Sequence, residues 1–118
     1  MEELDIPIFK RAYELIKTLH GCRGTVPKAD RHTLWERVEN HALEILEGIL
    51  IASQLPKTEK LRPLEHVSVK LNVLRVLLRL GKETKALEMK KYATLEMIVD
   101  EMGRMLGGWI KSVKERQG

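Results

Sequence analysis

The sequence predicts an all-α protein folded as an up-down bundle of four helices. Apolar residues recur at three- and four-residue steps in four successive segments, the spacing that places them on one face of a helix. The sequence lacks the sustained apolar and polar alternation of a strand, and it lacks Asn-Gly and Asp-Gly turns. The connections between segments are short, so consecutive helices should run antiparallel. We expect residues 1–118 to form one domain.

The first two helices are delimited by prolines and capping residues. Helix one is predicted from about residue 7 to 20, because the proline at its start suits a first turn and apolar residues follow at helical spacing. Asp30 or Thr33 can cap helix two, and Glu36 would complete a capping box with Thr33. Helix two should extend to about Leu55. Its apolar stripe consists of Leu34, Val38, Ala42, Ile45, Ile49 and Ala52.

Helix three is unusual because it has two apolar faces. It is predicted to begin near Leu61 and to stop at Gly81. One face consists of Leu64, Val67, Leu71, Leu74 and Leu78. The nearly opposite face consists of Val69, Val73, Val76 and Leu80, and the polar strip between the two faces consists of Ser68, Asn72, Arg75, Arg79 and Lys82. A helix in a small bundle usually buries a single stripe, so the second face predicts contact with another subunit.

Helix four should start within residues 83–91, and it combines an apolar seam with three glycines. The seam consists of Tyr92, Leu95, Val99, Met102, Leu106, Trp109 and Val113. Each glycine inside a helix costs about 1 kcal/mol relative to alanine, so a structural reason must offset that cost. Gly103 and Gly107 stand one turn apart beside the seam, where missing side chains would let another backbone approach closely. We assign Gly103, Gly107 and Trp109, with the second face of helix three, to an oligomer interface; a helix buried within one bundle is the alternative.

Positive charge is concentrated in one part of the chain. The net charge is only +4, but residues 57–91 contain ten Lys or Arg against four Glu. Residues 30–56, by contrast, contain five acidic residues and two Arg. This asymmetry favours an anionic partner, although a solvated face is the alternative, and aromatic residues are too scarce at 4% to suggest base-specific stacking. The candidate phosphate contacts are Arg62, Lys70, Arg75, Arg79, Lys82, Lys85, Lys90 and Lys91.

Recognisable catalytic and metal-binding motifs are lacking from the sequence. The four histidines include no pair at helical ligand spacing, and the single cysteine, Cys22, can form no disulfide within the chain. We therefore expect no metal, no cofactor and no catalytic residue. One enzyme class stays open, the helical ribonucleases that carry an Arg followed after a few residues by a His. The pairs Arg37/His41 and Arg62/His66 have three intervening residues, one short of the spacing in that class.

The sequence also indicates where the protein acts. No apolar run approaches the ~20 residues that are needed to cross a bilayer. The first residues are acidic, unlike the basic opening of a secretory signal. The expected location is the cytoplasm, with no membrane partner.

The last third of the chain resembles a known family. Residues 101–111, EMGRMLGGWIK, resemble the ending of the accessory variability determinant proteins of diversity-generating retroelements. The similarity extends to residues 26–31, to residues 74–80 and to the lengths of the helices. The resemblance therefore covers nearly the whole chain, and its Gly-Arg-x-Leu-Gly-Gly-Trp segment is moderately specific.

The resemblance implies a bundle that assembles as a pentameric barrel and has no catalytic activity. It also implies binding of the retroelement's reverse transcriptase and of RNA or DNA through basic surfaces, with weak sequence specificity. Such proteins support error-prone copying of a template RNA and transfer of the variability into a target gene. The four-helix bundle proteins encoded in ribosomal RNA intervening sequences share the architecture and are the main alternative. A structural oligomer with no nucleic-acid role is another.

Overall fold

Four long helices run alternately up and down in the computed structural model, which describes residues 6–117. Each helix packs against its neighbours in the sequence, and the fourth closes the bundle against the first. The helices are α1 (Pro7–Cys22), α2, α3 (Leu61–Glu83) and α4 (Met89–Gln117). Helix α2 comprises a short turn at Lys28–Asp30, a π-helical segment at Arg31–Trp35 and a regular helix at Glu36–Gln54. The predicted all-α, antiparallel four-helix bundle is therefore confirmed.

The start of α2 differs from the prediction. The capping box of Thr33 and Glu36 does not form, because the helix has already begun at Lys28 and Thr33 lies inside its π-helical segment. The Thr33 hydroxyl donates to the backbone oxygen of Ala29, so it caps nothing. The helix starts early because Pro27, with a φ of −54°, precedes the first turn. The side chain of Arg31 then holds the preceding loop in place by donating to the backbone oxygens of Val26 and Gly24.

The end of α3 also differs from the prediction. Gly81 does not stop the helix, which continues to Glu83. Gly81 is buried instead, and a Cβ atom there would lie 3.4 Å from Leu87. The residue that leaves the helix is Lys85, whose φ of 65° is in the left-handed region that usually favours glycine. Gly81 therefore allows close packing against Leu87, and the left-handed residue that ends the helix is Lys85.

The core is formed by the stripes that the sequence predicts. On α3 the whole first face is buried, namely Leu64, Val67, Leu71, Leu74 and Leu78. On α4 the buried seam residues are Leu95, Val99, Met102, Leu106 and Val113, while Tyr92 and Trp109 are partly buried and pack against them. Burial of each such large apolar side chain contributes about 1.5–3 kcal/mol to folding.

Candidate nucleic-acid interface and assembly surface

The second apolar face of α3 is on the outside of the bundle. Its side chains are exposed by 60% at Val69, 39% at Val73, 65% at Val76 and 46% at Leu80. With a rise of 1.5 Å per residue they form a strip about 16 Å long. We call these four residues the apolar strip. Exposed apolar surface that is continuous along a helix marks an interaction site more often than isolated exposed residues do.

Beside the apolar strip, the polar residues of α3 face a cleft between α3 and α4. One part of the cleft, of about 430 Å³, is lined by Arg75, Arg79, Lys82, Tyr92 and Glu96 among others. A second part, of about 380 Å³, extends along the same helices past Gly103 and Gly107. The predicted polar strip is thus brought against α4, where acidic residues are available to it.

Three of the predicted phosphate-binding cations are paired with carboxylates. Arg75 forms an ion pair with Asp100 of α4 and also donates to the backbone oxygen of Val99. Arg79 pairs with Glu83 one turn later, at 3.2 Å. Lys70 Nζ lies 2.7 Å from a carboxylate oxygen of Glu44 on α2, and this hydrogen bond lowers the pKa of Glu44. The charges of Arg75, Arg79 and Lys70 are therefore compensated within the subunit.

The remaining predicted cations lie at the two ends of the bundle. Lys82 Nζ is 4.6 Å from the centre of the Tyr92 ring, and burial raises the pKa of that tyrosine. Lys91 donates to the hydroxyl of Thr25, whereas Lys85 and Lys90 are exposed. Arg62 stands at the start of α3, about 30 Å of helix away from Lys82. The structure therefore divides the predicted set instead of gathering it into one patch.

Sequence reasoning missed three basic residues that the fold brings next to this set. Arg23, Lys28 and Arg31 lie in or beside the α1–α2 connection. In an up-down bundle this connection is at the same end as the α3–α4 connection, and the 2.6 Å hydrogen bond from Lys91 to Thr25 joins the two. The predicted topology would have placed these residues near the α3–α4 connection, because the first and third connections of an antiparallel four-helix bundle lie at the same end.

The glycines of α4 do not bring two backbones together within the subunit. At Gly103 the space is filled by the guanidinium group of Arg75, and at Gly107 nothing approaches within 4 Å of a Cβ position. Neither glycine therefore contacts a second backbone within its own subunit. Trp109 is partly buried, with Lys60 Nζ 5.9 Å from its ring centre. The assignment of these residues to an oligomer interface stays a prediction.

The other side chains considered for chemistry have structural contacts. The Nδ1 atom of His41 lies 3.1 Å from the backbone oxygen of Arg37, one helical turn away. Cys22 is buried, and burial raises the pKa of its thiol. Within residues 6–117, no group of three His, Cys, Asp or Glu side chains is placed to hold a metal ion. In the same part of the chain no helix combines the length and apolar character that spanning a membrane requires.

Comparison with known proteins identifies the family. Comparison with curated proteins finds no match. A family model described as bAvd-like matches residues 7–113, which include all of α1, α2 and α3 and most of α4. The matched region spans nearly the whole bundle, in agreement with the resemblance of its last helix. The chain therefore belongs to the bAvd-like family, the bacterial accessory variability determinant proteins.

Proposed function

We propose that the protein is a non-enzymatic accessory subunit of a diversity-generating retroelement. In this role it binds the element's reverse transcriptase and its template RNA or cDNA through basic surfaces, in the cytoplasm, and supports mutagenic retrohoming. The observation that carries the proposal is the family match over residues 7–113. Exposed lysines at the ends of the bundle supply phosphate-binding groups that need no sequence motif.

We also propose that the protein acts as a homo-oligomer, with five subunits as the resemblance implies. The apolar strip supports self-association, because it presents three valines and a leucine to solvent along one helix. A second copy that covered the strip would remove this surface from water at about 25 cal/mol per Å². Repetition of the basic surfaces around an oligomer would also strengthen weak contacts with a polyanion.

The experiment that tests the proposed function is co-purification with the reverse transcriptase of the retroelement. The two proteins are expressed together with the template RNA, and the complex is isolated through a tag on the polymerase. We expect the protein to elute with the polymerase and the RNA, and to be released at high salt because basic surfaces carry the binding. A polymerase that elutes without the protein at low salt would contradict the proposal.

The same material tests the ribonuclease alternative. Incubation of the purified protein with RNA should leave the RNA intact. Cleavage that is lost in either the His41→Ala or the His66→Ala variant would support a ribonuclease instead, since these are the histidines that follow an arginine at short spacing.

A further inference from the structure

Two connections of the bundle form one continuous surface. The α1–α2 connection is fixed by Arg31, which donates to the backbone oxygens of Val26 and Gly24 at 2.9 and 3.0 Å. Lys91, in the first turn of α4, reaches across to Thr25. Val26 and Leu87 anchor the two connections in the core, with 1% and 3% of their surface exposed. The backbones of these two connections are therefore held in fixed relative positions.

This surface is rich in positive charge. We call it the basic end, and its cationic residues are Arg23, Lys28, Arg31, Lys82, Lys85, Lys90 and Lys91. The acidic residues at the same end are fewer, namely Asp30, Glu36, Glu39, Glu83 and Glu88, and Glu83 pairs with Arg79 of α3. Arg23 is compensated by Glu39 of α2, at 3.0 Å. An excess of positive charge remains after these pairs are counted.

Three lysines of the basic end have no partner for their charge. The side chains of Lys28, Lys85 and Lys90 are exposed, and none of them forms a hydrogen bond or an ion pair with the residues that the structure describes. They differ in this respect from Arg75 and Arg79, which pair with Asp100 and Glu83. A cation without a carboxylate partner can neutralise a phosphate and release its counterion, without first giving up an ion pair.

The backbone gives a second reason to assign these lysines a binding role. Lys85 has a φ of 65°, a conformation in which a residue with a side chain is strained and glycine is usual. Lys90 and Lys91 lie in the first turn of α4, which contains no acidic residue, although the helix dipole favours negative charge there. Lys90 is thus placed where the helix dipole disfavours a cation, and an anion bound at this end would offset that cost.

We propose that the basic end binds the phosphate backbone of RNA, with Lys28, Lys85 and Lys90 as its principal contacts. The inference rests on the proposed function, because it takes nucleic-acid binding as given and assigns its location. It also revises the assignment made from the sequence. Arg75 holds α3 to α4, Arg79 pairs with Glu83 within α3, and the phosphate contacts come from two connections that are distant in the sequence.

A matched pair of variants tests the location. The basic-end variant carries Lys28→Gln, Lys85→Asn and Lys90→Gln, in which asparagine tolerates the left-handed backbone at position 85. The far-end variant carries Lys10→Gln, Lys111→Gln and Lys114→Gln, which removes the same charge from exposed lysines near the opposite end. Lys91, Arg31 and Lys82 are left unchanged because their side chains contact Thr25, Val26 and Tyr92.

The measurement is the binding of a mixed-sequence, single-stranded RNA by fluorescence anisotropy between about 50 and about 200 mM salt. Three lost phosphate contacts should lower the slope of log affinity against log salt by about two, and lower the affinity at least about tenfold at the lower salt. The far-end variant should stay within about twofold of the wild type. Thermal melting and light scattering of all three proteins verify equal folding and equal oligomer size.

Each outcome distinguishes the inference from the function on which it rests. Wild-type protein that binds no RNA at the lower salt would contradict nucleic-acid binding itself. Wild-type protein that binds RNA, with a basic-end variant that retains the wild-type affinity and slope, would overturn only the location. A far-end variant that loses as much RNA affinity as the basic-end variant would also overturn the location. A basic-end variant that still binds RNA but no longer co-purifies with the reverse transcriptase would assign this end to the protein partner and reject the inference.

Discussion

The guanidinium group of Arg75 lies against Gly103, so close that a Cβ atom at residue 103 would not fit beside it. From there it pairs with Asp100, one turn earlier on the same helix, and donates to the backbone oxygen of Val99. The missing side chain of Gly103 thus gives an arginine of α3 access to the surface of α4. This contact explains why residue 103 of α4 is a glycine, and it does not require the close approach of a second backbone. A residue that destabilises the helix thus leaves room for an ion pair between two helices.

The first prediction is that Gly103→Ala has different effects with and without Arg75. Alanine gains up to about 1 kcal/mol in helix propensity, but in the wild type it displaces a half-exposed ion pair that contributes up to about 1 kcal/mol. The two effects should nearly cancel. In an Arg75→Ala background the full gain should appear. Urea unfolding of the four proteins in a double-mutant cycle measures the difference, and equal effects in both backgrounds would show that Arg75 and Gly103 are independent.

The second prediction is that two glycine-to-alanine changes act in opposite directions. A Cβ atom at Gly48 would lie 2.5 Å from Cγ2 of Val67, a buried and stiff side chain, so Gly48→Ala should cost about 1–3 kcal/mol through overpacking. Gly107 has open space around it, and Gly107→Ala should stabilise the subunit by up to about 1 kcal/mol. Both are read from thermal or urea unfolding. A stabilised Gly48→Ala variant would mean that α2 and α3 can move apart at little cost.

Much of the fold could be predicted because its signals are local. The stripe from Leu64 to Leu78 repeats with the period of a helix, so the sequence alone shows which face is buried. The ion pairs Arg75–Asp100 and Lys70–Glu44 join residues 25 and 26 positions apart. They depend on how far one helix is shifted along another, and no single-helix pattern contains that information.

The candidate site was predicted less well for the same reason. The density of cations in the sequence selects Arg75, whose partner Asp100 is brought near only when α3 and α4 are packed together. It also selects Arg79, although its partner Glu83 lies one turn away on the same helix. It omits Lys28, which lies far from Lys90 in the chain and at the same end of the bundle. The predicted start of α2 at Thr33 was wrong because the helix already begins at Lys28, directly after Pro27, and Thr33 lies inside it.

The third prediction concerns the pH dependence of the link between α2 and α3. The hydrogen bond from Lys70 lowers the pKa of Glu44 below its ordinary value of 4.5, so the folded state favours the ionised carboxylate. The resulting stability is fully present above the ordinary pKa and is lost as the pH falls through the lowered one. Glu44→Gln should therefore cost at most about 1 kcal/mol at neutral pH, since the pair is half exposed, and nothing at low pH.

Unfolding of the wild type and Glu44→Gln across a pH series provides the measurement, with Glu47→Gln as the control. Glu47 is exposed and forms none of the ion pairs found among the described residues. A penalty for Glu44→Gln that persists unchanged below the lowered pKa would show that the glutamate stabilises the bundle by packing and not by charge.

The last prediction concerns the apolar strip. Val76 is 65% exposed in the subunit, so Val76→Glu should change the stability of an isolated bundle by less than about 0.5 kcal/mol. In an oligomer that covers the strip the new carboxylate would be buried without a partner, at a cost of several kcal/mol, and the subunits should separate. Met97→Glu is the matched control, because Met97 is 73% exposed on α4 and lies outside the strip. Light scattering should give a multiple of 13.6 kDa for the wild type and for Met97→Glu, and 13.6 kDa for Val76→Glu. A wild-type mass of one subunit, or a Val76→Glu protein that keeps the wild-type mass, would show that the strip is not the assembly surface.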